Sequence, residues 1–246
     1  MARFQQLIPP GGECDAAAAL AGWRDEPARQ PGRPRVALNM IASVDGRVTV
    51  DGRSGALGGP ADRELFHALR ADTDAVLVGA GTVRTERYGP IIRDAAVREQ
   101  RLAAGLSAQP LAVIVSRTLR LEAALPLLAD PDSHVVVLGP SAGTLSPSAA
   151  SIDYVRTDSL ADGLQELGQR FGVGLVVCEG GPTVNGALLH AGVIDELFLA
   201  RAPYLVGGEP GLGIVVAPRA APPIRLELRL LLAHGSELYA RYVVPS

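Results

Sequence analysis

The stretch "GLVVCEGGPTVNGALLHAGVIDELFLA", Gly174 to Ala200, changes its hydrophobic rhythm twice. It opens as a short β-branched apolar run, the pattern of a strand covered on both faces. Gly180 and Gly181 stop that run. Pro182 then suits the first turn of a helix, where its missing N–H costs nothing. Residues 182–195 read as a helix with Gly192 at its C-terminal cap, and 196–208 return to strand. Strand, glycine turn, helix and strand in succession form a unit of an α/β sheet.

Working outward, "VALNMIA" (36–42), "AVLVG" (75–79), "LAVIVS" (111–116) and "HVVVLG" (134–139) read as further buried strands. "PADRELFHALRADT" (60–73) and "SLADGLQELGQRF" (159–171) place their apolar residues on one helical face. Near the C-terminus, "IRLELRLLLAH" (224–234) and "ELYARYVV" (237–244) predict an antiparallel pair turning at His234-Gly235. The expected fold is α/β: a mostly parallel twisted sheet, helices on both faces, and antiparallel C-terminal edge strands. Residues 1–34 read as an extension, with a short helix in "GECDAAAALAGW" and a proline-broken linker in "EPARQPGRP". Residues 35–246 form one domain.

Composition removes several kinds of chemistry. All 23 basic residues are Arg, so there is no lysine for a Schiff base or for a Gly-Lys-Ser/Thr phosphate loop. A phosphate must be held by Arg, hydroxyls or backbone amides. The formal net charge of −3 argues against nucleic acid as the main partner. The two cysteines, Cys14 and Cys178, make no disulfide framework, and no apolar run is long enough to span a bilayer. A cytoplasmic setting is expected. The histidines are scattered, with no His-Glu-x-x-His and no Cys-x-x-Cys, so no metal site is expected.

Three glycine sites remain. "LGGPADRE" and "CEGGPTVNG" each place a Gly-Gly pair before a helix-starting proline, which suits a tight turn and also a seat for phosphate. "VLVGAGTVR" lacks the third glycine of the dinucleotide fingerprint, and we reject it as one. It still suits a nucleotide-facing loop, with Thr82 as hydroxyl donor and Arg84 nearby. Ser116-Arg117-Thr118 at the end of a strand suits either a polar turn or a dianionic phosphate. With so little protein chemistry available, a bound cofactor is expected to supply the reactive group.

The motifs "NMIASVDGR" (39–47), "LGGPADRELFHALRADTDAVLVGAGTVRTERYG" (57–89), "LAVIVSR" (111–117) and "VVCEGGPTVNGALLHAGVIDELFLARAPYLVGG" (176–208) together resemble the riboflavin-biosynthesis pyrimidine reductases, of the dihydrofolate-reductase-like family. The resemblance implies NADPH-dependent reduction of a phosphoribosylamino-pyrimidine. It implies that Asn39, Ser43, Asp45 and Glu179 line the substrate pocket, with Asp45 orienting the heterocycle. Some relatives carry a lysine where this chain has Asn39. The cofactor would lie against Gly79, Ala80, Gly81 and Thr82, with Ser116 and Arg117 on the 2′-phosphate and Gly180, Gly181 and Thr183 on the pyrophosphate. Many bacterial relatives carry a zinc deaminase domain whose motifs this sequence lacks, which implies a stand-alone reductase. Two other readings share the motifs: a pterin or dihydrofolate reductase, and a non-catalytic NADPH-binding protein. The long C-terminal strands present an edge that a homodimer would cover.

Overall fold

The computed structural model of the chain describes residues 1–208, 211–217 and 223–245. Eleven strands form one sheet: β1 (Phe4–Ile8), β2 (Glu13–Cys14), β3 (Arg35–Ser43), β4 (Ala75–Gly79), β5 (Leu111–Val115), β6 (His134–Gly139), β7 (Ser151–Arg156), β8 (Leu175–Cys178), β9 (Glu196–Ala202), β10 (Glu227–His234) and β11 (Glu237–Val243). Six helices accompany them: α1 (Ala16–Ala19), α2 (Pro60–Asp72), α3 (Ala80–Thr85), α4 (Ala95–Ala103), α5 (Leu160–Phe171) and α6 (Pro182–His190). The order across the sheet is β2-β1-β10-β11-β9-β3-β8-β4-β5-β6-β7. From β9 to β7 every neighbouring pair is parallel, and from β9 to β2 every pair is antiparallel.

Period-2 alternation sorts the side chains into two layers. Val36, Leu38, Leu77, Val176 and Cys178 face one side and pack with Leu164 and Leu167 of α5 and Leu188 of α6. On the other side Ala37 and Val177 meet Leu65 and Leu69 of α2, while Val76 and Val78 meet Val83 of α3. Helix ends follow local chemistry. The Ser159 side chain caps α5 by accepting from the Asp162 N–H, and Gly172 closes it at φ 67°. Pro60 and Pro182 open α2 and α6 behind Gly59 and Gly181.

The expected elements are present, with tighter bounds at some ends: the helix read over 182–195 stops at His190, and the strand read over 196–208 stops at Ala202. The N-terminal segment differs from its description as a helix and linker. Its short helix is there, but residues 4–14 form a hairpin that adds two strands, with Gln5 opposite Ala233 and Gln6 opposite Leu232. Phe4, Leu20 and Trp23 are buried with Phe198 and Leu232, so residues 1–34 belong to the same core. The free edge that suggested a homodimer is β10, and β1 of the same chain covers it. That reason for a dimer is withdrawn.

The chain runs from β3 across β8 to β4 through α2 on one face, and from β8 back across β3 to β9 through α6 on the other. Where strand order reverses in this way, a crevice opens at the carboxyl ends of the strands.

Candidate active site

A cavity of about 340 Å³ lies in that crevice. Strand β3 supplies Asn39, Met40 and Ile41; the end of β8 supplies Glu179; α2 supplies Asp62, Arg63, Phe66 and Arg70; and α3 with the chain after it supplies Thr82, Glu86, Arg87, Tyr88 and Arg93. Asp62, Phe66 and Arg70 recur every four residues and so share one stripe of α2. Ala61, Leu65 and Leu69, one position earlier, form the buried stripe beside it.

Glu179 is held in its wall. Arg70 grips it with both prongs of the guanidinium, Nε to Oε1 and Nη2 to Oε2, each at 2.7 Å. The Tyr88 hydroxyl donates to Oε2 at 2.8 Å, and burial pushes that phenol well above its usual range. Arg70 also stacks over Phe66 at 4.1 Å. Charge-assisted bidentate pairing of this kind fixes geometry as well as sign. Glu86 accepts from the N–H and hydroxyl of Ser54, both at 3.1 Å. Among the described residues, Arg63, Arg87 and Arg93 are then the cavity's cations without an ion pair, and Asp62 is its carboxylate with neither an ion pair nor a hydrogen-bond donor.

Arg87 carries an unusual backbone. It follows α3 at φ 48°, with its N–H on the Arg84 carbonyl and the Tyr88 N–H on the Val83 carbonyl. That is the helix-ending motif in which glycine is normal, because a Cβ is disfavoured at positive φ. Here an arginine occupies it and reaches the cavity. Arg87→Gly is expected to raise unfolding stability by about 0.5–1 kcal/mol, since strain disappears. The same change should weaken a phosphorylated ligand by about tenfold. Thermal unfolding and ligand titration on one sample check both signs.

The glycine turns lie side by side. The Gly79 N–H donates to the Gly180 carbonyl at 2.8 Å. A Cβ at Gly79 would come within 2.9 Å of Val184 Cγ2, and one at Gly181 within 2.8 Å of Thr82 Oγ1. Side chains are therefore excluded where the starts of α3 and α6 meet, which leaves backbone exposed between them. Ala80 is buried beneath this surface, while Gly81 and Thr183 are exposed on it. Thr82 belongs both to this cradle and to the cavity wall. The Ser116 hydroxyl accepts from the Leu119 N–H at 3.1 Å, shaping the turn that presents an exposed Arg117.

The first Gly-Gly-Pro turn differs from its expected use. A Cβ on Gly58 would fall 2.5 Å from Asp62 Oδ2, and one on Gly59 would fall 2.7 Å from Glu237 Oε1. Two carboxylates take the space, so this turn is no phosphate seat.

Of the four expected substrate residues, Asn39 and Glu179 line the cavity, and Glu179 is committed to Arg70 and Tyr88. Ser43 and Asp45 do not line it. The Ser43 hydroxyl donates to Asp45 Oδ1 at 2.5 Å and accepts from the Arg47 N–H. Asp45 accepts from the N–H groups of Val206 and Gly207 at 3.2 and 2.7 Å, clamping that loop to the end of β3. These bonds, Ser43's first, hold the Asp45 carboxyl down at about 2. The sequence reading missed Arg70, Tyr88, Asp62, Arg63, Arg87 and Arg93. The four-residue spacing of Asp62, Phe66 and Arg70 was the signal that could have found the α2 group. Among the described residues no cluster of His, Cys, Asp and Glu suits a metal ion, and no helix is long and apolar enough to cross a membrane.

Known proteins resemble this chain over most of its length. Residues 34–237 match the family described as the RibD C-terminal domain. The 2,5-diamino-6-ribosylamino-4(3H)-pyrimidinone 5′-phosphate reductase of Methanothermobacter thermautotrophicus is 28% identical over 223 residues, which covers 86% of this chain and 99% of that one. The riboflavin biosynthesis protein RibD of Mycobacterium tuberculosis is 33% identical over 196 residues, 78% of this chain but 48% of that longer protein. Among solved structures, a pyrimidine reductase-like protein from Corynebacterium diphtheriae has TM-score 0.74 at 23% identity, covering 95% of this chain and 100% of that one. RibD of Acinetobacter baumannii has TM-score 0.73 at 26% identity, covering 87% and 59%.

Proposed function

The chain belongs to the RibD C-terminal domain family, and from that premise we propose that it is a riboflavin-pathway pyrimidine reductase. Its substrate is a ribosylamino-pyrimidine 5′-phosphate and its reductant is NADPH. The observation that carries the reading is the cavity itself, which joins three unpaired arginines to a side-chain-free cofactor cradle through the shared residue Thr82.

Bound in the cradle, NADPH would supply a hydride to the sugar C1′ that bears the exocyclic amino nitrogen, while the bond from C1′ to the sugar ring oxygen breaks and that oxygen takes a proton, leaving an open ribityl chain and NADP⁺. The fit rests on the contacts at Gly79 and Gly181, where any Cβ would collide, and on the Thr183 N–H at the start of α6, which has no carbonyl partner among the described residues. Gly79 to Thr82 and Gly180 to Thr183 would hold the pyrophosphate and nicotinamide half. Arg117, assisted by the Ser116 hydroxyl, would hold the 2′-phosphate. Arg63, Arg87 and Arg93 take the dianionic phosphate of the substrate, as arginine does where planar multi-donor recognition is needed. Asn39 reaches the sugar from β3. Asp45 acts at one remove, by fixing the loop at Val206 and Gly207. The reaction is then accelerated by placing two bound molecules in a walled, water-poor space.

The test is NADPH oxidation by the purified protein, offered the diamino-pyrimidinone phosphate, its deaminated counterpart, and dihydrofolate. Turnover of a pyrimidine phosphate supports the reading, and turnover of dihydrofolate alone overturns it. Arg117→Ala should raise the NADPH Kd by about 10- to 100-fold while leaving NADH within about threefold, because only NADPH carries the lost charge partner. Equal loss for both cofactors would remove Arg117 from the 2′-phosphate.

A further inference from the structure

We infer that Asn185 is a positioning residue of the reductase. Its buried amide ties the segment 211–217 and the cavity floor at Met40 to the helix that carries the cofactor cradle, and so sets the spacing between the two reacting molecules. The inference rests on the reductase reading above.

Asn185 stands in the first half of α6, where helix propensity gives no reason for asparagine. Its side chain is fully buried. It lies beneath the Gly180-Gly181 turn: a Cβ at Gly180 would come within 3.4 Å of Met40 Sδ and 3.9 Å of Asn185 Nδ2. The amide meets a partner from each of three other parts of the chain. Nδ2 donates to the Ile214 carbonyl at 2.8 Å and faces Met40 Sδ in β3 at 3.2 Å. Oδ1 accepts from Cys178 Sγ, at the end of β8, at 3.4 Å. A carbonyl can only accept, so Ile214 fixes which way round the amide stands. Met40 lines the cavity, and Cys178 precedes Glu179 in its wall.

Gly186 is a second, independent sign of the same contact. A Cβ there would collide with the Val216 carbonyl, so glycine lets the segment lie directly on the helix. The Val216 N–H donates to the Pro182 carbonyl at 2.9 Å, and Ile214 packs against the apolar layer under α6. Nearer β9, Asp45 holds Val206 and Gly207, and Arg47 Nη2 donates to the Gly208 carbonyl at 3.1 Å. The chain after β9 is thus fastened to the end of β3 and to the start of α6. The first borders the substrate cavity and the second bears the cofactor cradle.

A leucine at 185 would fill the space and make none of these three contacts. The Ile214 carbonyl would lose its donor, and the cradle would shift against the cavity floor. A misplacement of about 1 Å can cost about 100-fold in a rate set by alignment. The loss should appear in kcat, because the cradle amides and the arginines that bind the two ligands stay in place.

The experiment measures Val216 amide exchange, NADPH Kd and steady-state kinetics with the phosphorylated pyrimidine. It uses the wild type, Asn185→Leu, Asn185→Asp and Gly186→Ala. In the protein without cofactor, Asn185→Leu and Gly186→Ala should speed Val216 exchange by about tenfold or more. Both should lower kcat by about 100-fold while NADPH Kd and pyrimidine KM stay within about threefold. Asn185→Asp adds a sign. Protonated, the new carboxyl donates to Ile214 and accepts from Cys178 as the amide does; ionised, it repels the carbonyl. The titratable groups beside it are the Cys178 thiol, which burial pushes up to about 12, and Glu179, held by Arg70 and Tyr88. A buried carboxyl titrates above its ordinary range, so kcat relative to wild type should rise as pH falls from about 8.5 to about 6. An Asn185→Leu that loses stability but keeps its kcat, or an Asn185→Asp whose ratio to wild type is flat with pH, overturns the assignment while the reductase reading stands. A wild type that reduces no pyrimidine phosphate overturns both, and Val216 exchange still reports whether the tie itself exists.

Discussion

Replacing Arg70 with methionine is expected to cost about 3–5 kcal/mol of unfolding stability, because it strands a buried carboxylate. Glu179 has 2% of its side chain exposed and Arg70 has 12%, so neither is compensated by water when the other is lost. Methionine keeps much of the stem that packs on Phe66, which isolates the charge effect from packing. Tyr88 would remain as a single donor and cannot neutralise the charge. In a chain of this length such a loss lowers the melting temperature by on the order of 10 °C. The decisive comparison is the double change Arg70→Met with Glu179→Gln. It removes both charges and should recover most of the lost stability, since replacing a whole buried pair is far milder than breaking it. If the single change costs less than about 1 kcal/mol, Glu179 is reached by solvent and the wall is softer than its contacts imply. Activity gives a second reading. The double variant should fold yet lose activity, because Glu179, Arg70 and Tyr88 pin β8, α2 and the chain after α3 into one wall around the substrate.

That wall shows what could be read from residue order alone. The Gly-Gly-Pro turns, the buried strands and the helix from Pro60 were legible because each depends on neighbours within a few residues. The capping of α5 by Ser159 is of the same kind. Arg70 and Glu179 lie 109 positions apart, and nothing in either local pattern points to the other. Asp62 stands in the first turn of α2, where the dipole favours an acid whatever it faces. Its lack of a partner is a fact of tertiary packing. Asp45 illustrates the converse: its turn was legible, but its partners are Val206 and Gly207, 161 and 162 positions on. The same limit hid the hairpin of residues 4–14. "FQQLI" is short and half polar, and it becomes a strand because β10 offers an edge.

Glu196→Gln is expected to destabilise the fold by about 3–5 kcal/mol while leaving the NADPH affinity of the folded protein unchanged. Glu196 begins β9 and is 2% exposed. Its Oε2 accepts from Arg241 Nε at 2.6 Å, its Oε1 lies 3.0 Å from Arg35 Nε, and the Trp23 indole N–H lies 3.1–3.2 Å from both oxygens. Glu26 is paired with Arg241 on the outer side. Two buried guanidiniums thus share two carboxylates, and neutralising the inner one leaves an excess positive charge with no water to screen it. The network gathers the start of β3, the start of β9 and the end of β11, with Trp23 and Glu26 from the N-terminal segment. It therefore fastens residues 1–34 to the sheet at the end opposite the cavity. Loss of Glu196 should loosen that segment first. Amide exchange of residues 15–30 should then accelerate at denaturant concentrations where β4 and β5 remain protected. Uniform acceleration across the sheet would instead mean that the N-terminal segment and the parallel sheet open as one cooperative unit.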